Sequence, residues 1–76
     1  MRQLKIGGTY RHFKGVQCQV IAQATHTETG EQMVVYMKPT EGNKVWVRPY
    51  DMFMSKVDKT KYPDADQEYR FEEVGP

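Results

Sequence analysis

Seventy-six residues, at roughly 100 to 150 per typical domain, admit one domain, and a chain this short removes only about 60% of its unfolded surface from water, which leaves little room for a deep catalytic cavity. Eleven Lys and Arg against ten Asp and Glu leave a net charge of +1 with both histidines neutral, which excludes a strongly basic polyanion binder and allows only a local patch. The single cysteine, Cys18, cannot form an internal disulfide, no apolar run approaches the roughly 20 residues of a membrane span, and the opening residues lack the apolar stretch of a secretory signal, so a cytoplasmic setting is expected.

Gly7-Gly8 loosens the chain ahead of a first strand over residues 9–13, which Lys14-Gly15 ends. Val16, Cys18, Val20, Ala22 and Ala24 then alternate with Gln17, Gln19, Ile21, Gln23 and Thr25, the period of two expected of a strand with one buried face. The run Met33-Val34-Val35-Tyr36-Met37 is β-branched and aromatic, and Pro39 stops it. Between the two runs, Thr27-Glu28-Thr29-Gly30 offers a positive-φ glycine, so residues 16–37 read as a β-hairpin.

After the polar loop 40–43, Lys44-Val45-Trp46-Val47-Arg48 forms a third long strand, with Val45 and Val47 on one face, read here as the buried one, and Trp46 and Arg48 on the other. Pro49 has no N–H to lose at a first helical turn, and Tyr50-Asp51-Met52-Phe53 follows as one helical or 3-10 turn. Lys56-Val57-Asp58 is a candidate short strand, residues 59–67 form a charged, Pro63-broken segment expected to be the mobile part, and Tyr69-Arg70-Phe71-Glu72-Glu73-Val74 closes the chain as a strand. This pattern predicts a single all-β domain over residues 1–76. Its expected form is a strongly bent SH3-like barrel of five to six strands with one short helical turn, preferred over an OB-like barrel because no longer helix interrupts the middle. The expected core comprises Val16, Val20, Ala22, Val35, Val45, Val47 and Phe53.

Trp46 and Arg48 share a strand face and carry the parts of a nucleotide site: an indole stacks on a base, and a guanidinium grips phosphate through a bidentate fork. The competing reading makes Trp46 a cap over the barrel and ties Arg48 to Asp51 or a glutamate. Tyr36, on the adjoining strand, extends the aromatic surface if its register agrees. His12 shares a face with Tyr10, and His26 sits at a strand end within reach of Glu28 or Glu31; each is a candidate ligand contact or a structural histidine. Neither metal-ligand spacing nor a cofactor loop is present, and Cys18 belongs to an apolar strand face with no base beside it, so neither metal, cofactor nor catalysis is expected.

Taken together, Gly8-x-Tyr10-Arg11-His12-Phe13-Lys14-Gly15, Ala24-x-His26-x-Glu28, Val34-Val35-Tyr36, Trp46-Val47-Arg48-Pro49 with Phe53, and Arg70-Phe71 resemble the bacterial and phage family catalogued as domain of unknown function 1653. The resemblance implies a compact β-rich domain and carries no reaction with it. Members often have an aromatic residue at the position of Cys18, so no catalytic role transfers to that cysteine. The resulting expectation is a non-catalytic module that binds a compact anionic ligand, such as a nucleotide or cyclic nucleotide signal, through Trp46, Arg48, Tyr36, His26, His12 and Tyr10. A phage-borne copy would sequester a host signal. The alternatives are an SH3-like adaptor for a peptide or protein and a single-strand or RNA binder, the latter disfavoured by the near-neutral charge. Self-association is also expected, because Ile21 and the methionines leave apolar surface that a second copy can cover.

Overall fold

The computed structural model describes residues 2–75. Five strands, β1 (Thr9–His12), β2 (Gln17–Thr25), β3 (Gln32–Lys38), β4 (Lys44–Pro49) and β5 (Phe71–Glu73), form one antiparallel sheet in the order β4-β3-β2-β1-β5. The first four follow one another as a meander, and β5 returns to pair with β1, placing Phe71 opposite His12. The single helical turn, α1 (Tyr50–Phe53), lies between β4 and β5 where Pro49 predicts it. This is the connectivity expected of an SH3-like fold.

Local chemistry sets the turns. Gly30 adopts φ +75 and donates its N–H to the His26 carbonyl at 2.8 Å, which closes the β2–β3 hairpin in the conformation that glycine adopts without a steric penalty. Pro39 opens a 3-10 turn, Pro39–Glu41, that ends in Gly42 and Asn43, both at positive φ. The predicted strand at 56–58 shrinks to one bridge between Lys56 and Tyr69. Residues 58–65 instead fold into turns, with the Tyr62 N–H donating to the Asp58 carbonyl at 2.8 Å. Buried Gln67 anchors the end of this segment, donating from Nε2 to the carbonyls of Arg11 and Tyr69 at 3.1 and 3.2 Å.

Although β4 and β5 are the two ends of the sheet, the Arg48 guanidinium lies 5.4 Å from the centre of the Phe71 ring. The sheet therefore curls round a core of Tyr10, Cys18, Val20, Val34, Tyr36, Phe53 and Phe71. Phe53 stacks on Phe71 with centroids 4.1 Å apart, and Tyr10 meets Phe53 edge-on at 5.5 Å. α1 delivers Phe53 into the open side of the curl, so one helical turn supplies a central core ring.

The predicted faces are corrected in three places. Val20 and Phe53 are buried as expected, but Val45 and Val47 are each 55% exposed, while Trp46 packs against the core. Tyr36 opposes Trp46, and Val35 opposes Val47, so the whole β3–β4 assignment slips by one residue: Val34 and Tyr36 point in, and Val35 is only half-buried. In β2 a register shift between Val20 and Ala22 places Val20 opposite Tyr36 but Ala22 opposite Val35. An extra residue in a strand reverses the parity beyond it, which takes Ala22 out of the core. Val16 lies exposed just ahead of β2, where its carbonyl accepts the His12 N–H at 2.8 Å.

Candidate anion-binding site

One end of the curled sheet is open and holds a cavity of about 470 Å³. Cys18, Lys38 and Arg48 line it from the sheet, His12, Phe13 and Lys14 from the end of β1, Asp58, Lys61 and Tyr62 from the folded segment, and Arg70 and Phe71 from the start of β5. Five positive side chains thus face one carboxylate in a chain whose net charge is +1. Among the described residues the ion pairs are Lys5–Glu73, Lys38–Glu41 and Lys56–Glu68. Among the described residues, Lys38 is therefore the cavity cation paired with a carboxylate, at 3.7 Å; Lys14, Arg48, Lys61 and Arg70 form no such pair, although Asp58 lines the cavity with Lys61 and feels its charge.

The two arginines are held differently. Arg48 donates from Nε to the Tyr36 hydroxyl at 2.9 Å, which ties down the guanidinium of a residue that lines the cavity. Arg70 has a buried Nε with no hydrogen-bond partner, a donor whose desolvation goes uncompensated. The aromatic groups form the rim: Phe13 and Tyr62 meet edge to face at 4.9 Å, and Lys14 Nζ lies 5.1 Å from the Tyr62 ring centre. His12 bridges rim and interior, 4.5 Å from Phe13 and 4.9 Å from Phe71.

Burial, reinforced by Arg48, Lys14, Lys38 and Arg70, lowers the His12 pKa from 6.5 to about 4. Its Nδ1 accepts the Lys14 N–H at 3.1 Å, so the neutral ring carries its proton on Nε2. Burial pushes the Cys18 thiol up to about 11 against the opposing pull of Lys38 and Arg48, which keeps it protonated and a poor nucleophile. Hydrogen bonds from the hydroxyl and backbone N–H of Thr60 hold the exposed Asp58 carboxyl below its ordinary range.

Of the residues singled out in the sequence, Arg48 and His12 line the cavity and Tyr36 supports Arg48 from beneath. Trp46 does not line it: Lys38 and Lys44 cap its ring at 4.9 and 4.4 Å, and its Nε1 is buried without a partner. Tyr10 is buried, its hydroxyl accepting the Lys5 N–H at 3.0 Å. His26 belongs to the hairpin turn, where its Nδ1 accepts the N–H of Glu28 at 3.1 Å and that of Thr29 at 3.3 Å. The residues that pattern reading passes over are Phe13, Lys14, Lys38, Lys61, Tyr62 and Arg70. For Lys38 a signal exists, since it shares the parity of Tyr36; for the others, tertiary folding alone gathers them.

Fold and cavity together define a small all-β domain of SH3-like connectivity with a basic, aromatic-rimmed pocket. A protein family of unknown function, DUF1653, matches residues 8–73, nearly the whole chain, and this chain belongs to it. No curated protein and no solved structure matches the chain. No helix among the described residues is long and apolar enough to cross a membrane.

Proposed function

We propose that this chain is a non-catalytic, cytoplasmic binding module for a compact anionic ligand with a flat ring, in the class of a nucleotide or cyclic nucleotide signal. The observation that carries the reading is the set of four cavity cations without a carboxylate partner, Lys14, Arg48, Lys61 and Arg70, gathered beside the Phe13–Tyr62 rim. Like charges brought together in a partly enclosed space repel one another, and a bound anion relieves that repulsion. Stacking passes from Trp46 to Phe13, Tyr62 and His12. A long single strand fits less well, because the positive charge is concentrated in one pocket and does not extend along a groove. Captured one molecule per chain, such a ligand would be withdrawn from its other receptors, which is the use a phage-borne copy would make of it.

Calorimetry with a panel of mononucleotides and cyclic nucleotides tests the reading. Arg48→Gln and Arg70→Gln are each expected to weaken binding roughly ten- to a hundred-fold, the loss of one charge-assisted hydrogen-bonded contact of about 1.5 to 3 kcal/mol. Unchanged affinity in both variants, or no binding of any member of the panel, overturns it.

A second reading concerns association of two copies. Val45 and Val47 stand exposed on the sheet-edge strand β4, with Ile21 44% exposed on β2, so a second copy has apolar area to cover. Light scattering at micromolar concentration that returns only the 8.9 kDa species refutes this.

A further inference from the structure

The geometry points to a ligand that enters phosphate first and ends in a phosphate monoester, in preference to a cyclic phosphodiester. This inference rests on the proposed anion site and names the ligand chemistry that the site selects.

The cavity is polarised along its depth. At the inner end, Lys38 and Arg48 line the cavity with the buried Cys18, and the Arg48 guanidinium lies 5.4 Å from the centre of the buried Phe71 ring. At the outer end, the Phe13 and Tyr62 rings meet, with Lys14 and Lys61 5.1 and 5.6 Å from the Tyr62 ring centre. His12 lies between the two ends, touching Phe13 outward and Phe71 inward. Guanidinium forks suit phosphate oxygens, and ring faces suit a base. The aromatic end of a ligand therefore belongs outside and its phosphate inside.

Charge and shape then decide which phosphate. Arg48 uses only Nε on Tyr36, Arg70 lines the cavity with no carboxylate paired to it among the described residues, and Lys38 adds a third cation, paired with Glu41 at 3.7 Å. A terminal monoester offers three free oxygens and about −1.5 to −2 charge at neutral pH, enough to meet all three groups. A cyclic diester has two free oxygens and a single charge. Its phosphate is also locked against the sugar, so it cannot extend inward while the base stays at the rim.

The test measures affinity calorimetrically at fixed ionic strength for the 5′-monophosphates of the four common nucleosides, their 3′,5′-cyclic counterparts and inorganic phosphate. At least one 5′-monophosphate is expected to bind ten-fold or more tighter than its cyclic counterpart and than inorganic phosphate. Arg70→Gln is expected to shrink the monoester-to-diester ratio to within about three-fold. Because this variant leaves the Arg48–Tyr36 contact untouched, its fold can be verified by the parent's melting curve. Cyclic nucleotides binding as tightly as, or tighter than, their monoesters overturn the inference while leaving the anion site standing. Inorganic phosphate matching the nucleotides overturns the placement of the base at the rim. Failure of all nucleotides to bind overturns both the inference and the reading on which it rests.

Discussion

Trp46 gives the clearest separation between scaffold and site. Truncating a fully buried aromatic side chain to alanine costs about 3 to 5 kcal/mol; Trp46 is half-buried against the core, which reduces the packing loss to roughly 2 kcal/mol. Loss of the Lys38 and Lys44 contacts to its ring face adds about 0.5 to 1 kcal/mol. Opposing these, removal of a buried indole N–H that has no acceptor relieves a desolvation term of about 1 to 3 kcal/mol. Trp46→Ala is therefore expected to destabilise by at most about 2 kcal/mol, and Trp46→Phe, which keeps a ring and discards the orphan donor, by less than that.

Urea titrations of both variants beside the parent measure these differences, with an accompanying drop in melting temperature of about 4 to 8 °C per kcal/mol for a domain of this size. Nucleotide affinity is expected to stay within about three-fold, since the ring does not line the cavity. A ten-fold loss of affinity with unchanged stability would return Trp46 to the site. Equal damage from Phe and Ala would refute the argument from the unpaired N–H.

Val45→Thr and Val47→Thr, on exposed positions, are expected to change stability by within about 0.5 kcal/mol, whereas Val34→Ala in the sealed core loses roughly 2 kcal/mol by the same denaturation assay. His12 titrates near 4 in the folded chain against 6.5 for an unperturbed imidazole, so the unfolded chain takes up the proton first and stability falls as pH drops from about 6.5 through 4. His12→Gln flattens that slope in melting curves, and in the parent a bound anion moves the imidazole resonances to titrate at higher pH. Asp58→Asn removes the cavity's carboxylate while retaining a side-chain oxygen for Thr60, and calorimetry is expected to show anion affinity rising by about two- to five-fold; a fall refutes the placement of charge. Cys18, buried with its thiol pushed up to about 11, resists iodoacetamide at pH 7.5 for as long as the fold holds, as mass spectrometry after urea and native exposure checks.

Strand positions, hairpin and helical turn were legible because each rests on a local cause: Gly30 at positive φ, Pro39 and Pro49 as stops, and α1 directly behind Pro49. Facing was not, and the reason is physical. In Val34-Val35-Tyr36 and Val45-Trp46-Val47 both parities are apolar, so period-two patterning leaves the choice of face open. A barrel with room for few side chains is filled by its largest ones, and Tyr36, Phe53, Tyr10 and Phe71 take the interior, leaving the smaller valines of β4 outside. The irregularity between Val20 and Ala22 then breaks an alternation that looks unbroken in sequence, because a bulge there leaves no mark in residue type.

The site was harder to see for a different reason, which lies in how charge is distributed. A net charge of +1 describes the whole chain and conceals a segregation that only folding creates. Asp66, Glu72 and Glu73 line a second hollow beside Arg11 and Gln17, while the free cations collect around Arg48. Arg70 and Glu72 are two residues apart, yet Arg70 lines the basic cavity and Glu72 the acidic hollow. Glu72 also accepts the backbone N–H groups of Glu68 and Tyr69, so this carboxylate stabilises the turn before β5 and does not neutralise the guanidinium nearby. The Arg70 Nε is buried without a hydrogen-bond partner. Glu72 is thus committed to backbone at the acidic hollow, and Arg70 lines the basic cavity with no carboxylate paired to it among the described residues.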